Sequence, residues 1–225
     1  MLNVEKTYVI HYTPLSDRKT NLMNQFDKFG IEAHWMEEEE EDENISKYYV
    51  ADQRDWYKKT VTVPYEQNIT YKHLNRPEIS LAIKHIKCYK DIIDNKVETA
   101  VIFEDDVVFC EDFDNKFNSF LEQTPPDWDI IFIGSGCNLT TPSHLRQPGK
   151  IAYLKDNPAT RCADSYVVNY KSISKLWNTL LPITLPMDCE LNYQLYFNNL
   201  KSYWWEPPLV KQGSQCGLYS SEVQI

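Results

Sequence analysis

Three consecutive acids stand inside an apolar, β-branched run of this chain, Ala100-Val101-Ile102-Phe103-Glu104-Asp105-Asp106-Val107-Val108-Phe109. Val, Ile and Phe on both sides predict a buried central strand. Ionised carboxylates are costly in such a place unless opposite charge meets them. A hard divalent cation does so well, because Mg²⁺ and Mn²⁺ take carboxylate oxygens as ligands. Strand side chains alternate in direction, which puts Glu104 and Asp106 on one face and Asp105 on the other. Two acids on one side at the end of a buried strand suit a cation that itself holds a phosphate or diphosphate. The competing expectation is that the strand has ended and the acids are solvated in the following turn.

Composition narrows the classes of function. The chain has 225 residues, 42% of them hydrophobic, enough for one α/β domain over residues 1–225 with a substantial core. With 33 acidic against 23 basic residues, a formal charge of −10, it lacks the basic face that a nucleic acid requires. An anionic cofactor must therefore be held locally, by a metal or a few basic side chains. No apolar run reaches a membrane-spanning length, and Met1-Leu2-Asn3-Val4-Glu5-Lys6 lacks the apolar core of a signal peptide. A cytoplasmic location is expected. Cys88, Cys110, Cys137, Cys162, Cys189 and Cys216 are scattered without a Cys-x-x-Cys pair, so reduced thiols are expected and a zinc site is not.

Along the chain the apolar period switches between strand and helix. Thr7–Tyr12 reads as a first strand, and Ser16 as the cap of a helix with Leu22, Met23, Phe26 and Phe29 inward and Gly30 at its end. A second strand follows over Ile31–Met36. A long helix is predicted from Pro77 to about Asn95, with Ile79, Ala82, Ile83, Ile86, Tyr89 and Ile93 buried. After the acid-bearing strand come a helix burying Phe113, Phe117, Phe120 and Leu121, and a strand at Asp129–Gly134. Ser165–Val168 reads as a strand, Ser172–Leu181 and Asp188–Asn199 as helices, and Tyr203–Trp205 as a last strand. Such alternation implies a mostly parallel sheet with helices on both faces.

Active sites of open α/β sheets lie outside the carboxyl ends of the strands. The turn after the first strand therefore belongs near the three acids. It offers Thr13 and Ser16 as hydroxyls, Arg18 as a phosphate or base contact, and a helix N-terminus for an anion. The stretch from Met36 to Asn75 holds Tyr48, Tyr49, Trp56, Tyr57, Tyr65 and Tyr71 without a clean period. A long aromatic-rich connection of this kind suits either sugar binding or core packing.

These residues carry a resemblance. Tyr8–Arg18, Pro77–His85, Val101–Val107, Trp128–Gly134 and Leu185–Asp188 match, in order, five blocks of glycosyltransferase family 25. That family includes bacterial lipooligosaccharide galactosyltransferases and collagen hydroxylysine galactosyltransferases. The closest block is the one containing Glu104-Asp105-Asp106, which resembles the family's Asp-x-Asp-like element. The chain departs from the pattern at His11-Tyr12, where Asn-Leu is common, at Ser80 in place of Gly, and at Lys84 in place of Ser.

The resemblance implies a GT-A fold, a Rossmann-like nucleotide-sugar domain, that uses Mn²⁺ (or Mg²⁺) and a UDP-sugar donor with inversion at the anomeric carbon. The transferred sugar is expected to be galactose or glucose, and the acceptor a hydroxyl of a glycan or protein. On this reading Asp106 and Glu104 are metal ligands, while Thr13, Arg18, Asp105 and His85 join Glu104 in holding the donor. Asp188 is the first choice for the base that deprotonates the acceptor or for a further metal ligand, and Glu190 the second. Gln212-Gly213-Ser214 and Ser220-Ser221-Glu222 resemble the family's closing positions and are expected to order over the donor. A metal-dependent phosphoesterase and a non-catalytic sugar-nucleotide-binding module are the alternatives.

Overall fold

The computed structural model describes residues 1–37, 45, 47–50, 73–155 and 159–220. In chain order the elements are β1 (Lys6–Ile10), α1 (Ser16–Phe29), β2 (His34–Met36), α2 (Arg76–Asn95), β3 (Thr99–Glu104) and β4 (Val107–Phe109). Then come α3 (Phe113–Gln123), β5 (Ile130–Phe132), β6 (Ala152–Leu154), β7 (Ser165–Asn169), α4 (Tyr170–Leu180), α5 (Met187–Phe197), β8 (Ser202–Trp205) and β9 (Val210–Gln212). Seven of the strands form one sheet in the order β2-β1-β3-β7-β5-β8-β6. Strands β1, β2, β3, β5 and β8 point one way, while β7 and β6 run against them. The sheet is thus mostly parallel in direction but mixed in its pairings, because β7 enters between β3 and β5.

Both faces of the sheet are apolar, as the sequence period requires. Tyr8, Ile102, Phe132, Tyr166 and Trp204 meet Ala82, Ile86 and Tyr89 of α2, Leu176 of α4 and Leu191 of α5 on one face. Val9, Val101, Phe103, Ile131 and Trp205 meet Leu22 and Phe26 of α1 and Phe113 and Phe117 of α3 on the other. Burying each such large side chain stabilises by roughly 1.5–3 kcal/mol. Among the described residues, no helix is long and apolar enough to cross a membrane.

Local chemistry sets the helix ends. Gly30 closes α1 with φ of 61°, a left-handed conformation that glycine adopts without cost. Ser16 is the first helical residue of α1 rather than its cap, which is Leu15, and Met23 faces solvent. At α2 the Asn75 side chain accepts from the Glu78 amide while Glu78 accepts from the Asn75 amide, with Pro77 in the first turn.

The acid-bearing run is two strands, not one. β3 ends at Glu104, and Asp105 and Asp106 form a turn into β4, which pairs with β9 in a separate two-stranded ribbon. Alternation along a strand therefore does not extend past Glu104, and the expected common face of Glu104 and Asp106 has no basis in the backbone. The turn is not solvated either: Asp105 and Asp106 are 7% and 3% exposed. Phe109 of β4 anchors it, with ring centroids 5.1 Å from Phe103 and 4.2 Å from Phe113. In the connection before α2, Tyr48 and Tyr49 pack on the core. Trp56, Tyr57, Tyr65 and Tyr71 lie outside the described residues.

Candidate active site

Parallel pairing of β1 with β3 sets Ile10 beside Glu104, so the turn after β1 and the acidic turn after β3 emerge together. They open on a cleft of about 740 Å³, a size usual for small-molecule sites. Glu104, Asp105, Asp106 and Asp188 line it, with Arg18, Arg76 and Lys84 as its cations. Thr13 is exposed and outside that lining, so its expected donor contact has no support in the geometry.

Each acid has a distinct environment. Asp105 braces the first turn: its carboxylate accepts from His11 Nδ1 at 2.8 Å, from Arg18 Nη1 at 3.0 Å and from the Tyr12 amide at 3.3 Å. Arg18 also donates through Nη2 to the Ser220 carbonyl at 2.5 Å and lies over the Tyr219 ring. The residues after β9 thereby pack against the mouth of the cleft.

Asp106 accepts from the Ser214 amide at 3.0 Å through Oδ2, and its carbonyl accepts from the Gly213 amide at 2.7 Å. Gly213 allows this approach, since a Cβ there would lie 2.6 Å from the Asp106 carbonyl oxygen. Asp106 Oδ1 is buried and has no partner among the described residues. Burial raises the Asp106 pKa, against the pull of its Ser214 bond and of Arg18.

Glu104 is held well above the ordinary carboxylate range by burial and then by Asp106, Asp164, Asp105 and Asp188. Beneath it lies His85, outside the cleft lining, with Nε2 3.8 Å from Glu104 Oε1 and Nδ1 2.8 Å from the Tyr166 hydroxyl. Burial lowers the His85 pKa to about 3, so the ring is neutral and does not compensate the Glu104 charge. His85, expected from the resemblance to help hold the donor, thus lies buried beneath Glu104 and outside the cleft lining.

Asp188 lines the cleft from the first turn of α5, where its Oδ1 accepts from the Cys189 amide at 2.8 Å. Glu190 does not reach the cleft. Its carboxylate turns inward and accepts from the Thr184 amide at 3.2 Å and from Gln194 Nε2 at 2.9 Å, at 1% exposure. The second choice for the base is thus a buried structural residue.

Sequence reasoning missed Asp164. Its carbonyl accepts from the Glu104 amide at 2.8 Å and its Oδ2 from the Ser165 hydroxyl at 2.8 Å, while Oδ1 is buried without a partner among the described residues. Burial raises its pKa to about 7, and Asp106 adds to the rise. An acid directly ahead of the apolar strand Ser165–Val168 was the available signal, the same signal that marks Asp105 and Asp106.

A cluster of desolvated, mutually repelling carboxylates with orphaned oxygens fits a divalent cation, which would remove the repulsion and complete the coordination. Among the described residues, no three His, Cys, Asp or Glu side chains gather closely enough to hold an ion by themselves. Such a cage is not needed where one or two carboxylates share an ion with phosphate oxygens.

The model of "Glycosyltransferase family 25 (LPS biosynthesis protein)" matches residues 4–191. The chain is 25% identical over 166 residues to human procollagen galactosyltransferase 2, covering 65% of this chain and 26% of that protein. It is 32% identical over 73 residues to mouse procollagen galactosyltransferase 2, covering 31% of this chain and 12% of the relative. It thus matches about a quarter of the human protein's length and less of the mouse protein's.

Proposed function

The chain belongs to glycosyltransferase family 25, and from that premise we propose that it moves a hexose from a UDP-sugar to a hydroxyl of a glycan or protein, with inversion, using Mn²⁺ or Mg²⁺ on a GT-A arrangement of the sheet. The observation that carries this reading is the buried Asp106 Oδ1, without a partner among the described residues, at a cleft where burial and the charge of Asp106, Asp164, Asp105 and Asp188 hold Glu104 well above the ordinary carboxylate range. Galactose is the favoured sugar, since the human and mouse relatives are named galactosyltransferases, and glucose is the second. The same name and the family's description point to protein and lipopolysaccharide acceptors respectively.

In this reading Asp106 and Glu104 hold the cation, which supplies charge neutralisation at the departing diphosphate. A neutral His85 leaves the Glu104 charge to that cation. Asp105 fixes Arg18 at the mouth of the cleft, and Arg18, Arg76 and Lys84 add the positive charge that an anionic donor requires in an acid-rich site. Asp188, which also lines the cleft, takes the proton of the acceptor hydroxyl during a single in-line attack.

A thermal-shift panel of UDP, UDP-galactose and UDP-glucose with and without Mn²⁺ tests the donor and the metal together. A ligand at a hundred times its Kd stabilises by about 2.7 kcal/mol, equivalent to roughly 5–10 °C for a chain of this size. Asp106→Asn is expected to lose the Mn²⁺-dependent part of the shift and keep its fold. A shift that is equal without Mn²⁺, or unchanged in Asp106→Asn, overturns the metal reading.

A further inference from the structure

Two cysteines far apart in sequence meet in the wall of the cleft. Cys137 and Cys162 both line it, and their sulfurs lie 3.4 Å apart with both thiols free. Each residue has left-handed backbone, with φ of 53° at Cys137 and 62° at Cys162. Side chains other than glycine rarely adopt this region, and such strain concentrates at functional positions. The close approach of the two loops depends on Gly136, where a Cβ would lie 2.6 Å from Cys162 Cβ and 2.7 Å from its sulfur. Arg161 latches the same loops together: its Nε donates to the Leu139 carbonyl at 2.9 Å. Its Nη1 and Nη2 reach the Trp205 carbonyl and Glu206 Oε1, each at 2.7 Å. The sulfurs are thus kept as neighbours, and little chain entropy stands between the dithiol and a bond.

We propose that Cys137 and Cys162 form a redox-responsive dithiol in the cleft wall, which a low-molecular-weight disulfide converts to an intramolecular disulfide. Cys137 is the exposed member and Cys162 is partly covered, so Cys137 meets the reagent first. Its thiolate attacks one sulfur of the small disulfide, forming a mixed disulfide and expelling one thiol. Cys162 then attacks Cys137 Sγ and expels the second thiol. The small disulfide is reduced to two thiols, which take up the two protons that the cysteines lose, and the protein pair is oxidised. Gln215 sits on this pair, its Oε1 accepting from the Cys137 amide and its Nε2 3.7 Å from Cys137 Sγ. Bond formation therefore joins the two loops beside Asp188 at the point where the segment after β9 touches them.

Native full-length chain is incubated with glutathione disulfide, its remaining thiols are alkylated, and it is digested without reduction for mass spectrometry. The expected product is one cross-linked peptide pair, Cys137 with Cys162, lighter by two hydrogens and reversed by dithiothreitol, with Cys88, Cys110, Cys189 and Cys216 alkylated. Cys162→Ser is expected to stop at a glutathione adduct on Cys137. In the oxidised wild-type chain, amide exchange slows at residues 136–139 and 161–163. A stable glutathione adduct on wild-type Cys137 with Cys162 still alkylated, a different cysteine pair, or exchange unaltered by oxidation would each overturn the proposal. None of these readouts requires the transferase reading to hold.

Discussion

Replacing Glu190 with Gln separates a structural carboxylate from a catalytic one. Burial raises the Glu190 pKa from 4.5 to about 7, with Gln194 and the Thr184 and Leu185 amides pulling it partly back. Between those two values the unfolded chain has released the Glu190 proton while the folded chain still holds it. Stability contributed by this group is therefore full below about pH 4.5 and lost as pH rises through 7. At about 1.4 kcal/mol per pKa unit the loss comes to roughly 3 kcal/mol. Gln cannot ionise, and its amide oxygen can still accept a bond from Thr184 or Gln194. The stability of Glu190→Gln relative to wild type should accordingly rise by about 3 kcal/mol between pH 4.5 and pH 8, read as urea midpoints at each pH. In melting temperature this is roughly 6–12 °C. Parallel pH profiles for the two proteins would refute the reasoning. So would a loss of transfer in the variant with the wild-type stability profile intact, because it would return Glu190 to the reaction.

The cleft makes further predictions. Asp188→Asn should slow transfer by about 10²–10⁴-fold while the Mn²⁺-dependent UDP shift stays at the wild-type value; a parallel loss of UDP or Mn²⁺ binding would make Asp188 a ligand instead of a base. Stabilisation by Mn²⁺ should grow as pH rises from about 6 to about 8, because the ion competes with protons on carboxylates that burial has pushed upward, Asp164 to about 7 among them; a flat profile in isothermal calorimetry would exclude these acids as its site. On the sugar-binding expectation drawn from the sequence of the Met36–Asn75 connection, and not from the cleft, Trp56→Ala and Tyr57→Ala should raise the acceptor KM and spare acceptor-independent UDP-sugar hydrolysis, whereas joint loss of both activities with a lowered melting temperature would favour core packing.

Periodicity was enough to read the layers. The unbroken apolar runs Tyr8–Ile10, Ala100–Phe103, Ile130–Ile133 and Tyr166–Val168 determine that both sheet faces are covered, because successive side chains point to opposite faces and each face needs its own apolar partners. The three-residue strands β6 and β9 escaped. Reversal of β7 within the sheet was equally hidden: strand direction is a property of long-range pairing, not of local pattern. At the site, the three acids were conspicuous because charge inside an apolar run is expensive wherever it falls. Their separate environments depend on residues distant in sequence. His11 and Arg18 engage Asp105, and Ser214 meets one oxygen of Asp106 while the other meets none among the described residues. Asp164 approaches Glu104 through the β3–β7 pairing, and a helical turn carries Asp188 to the cleft while directing Glu190 into the core. A sequence can announce that charge must be compensated. Which carboxylate is compensated, and by what, is decided only when the sheet brings its strand ends together.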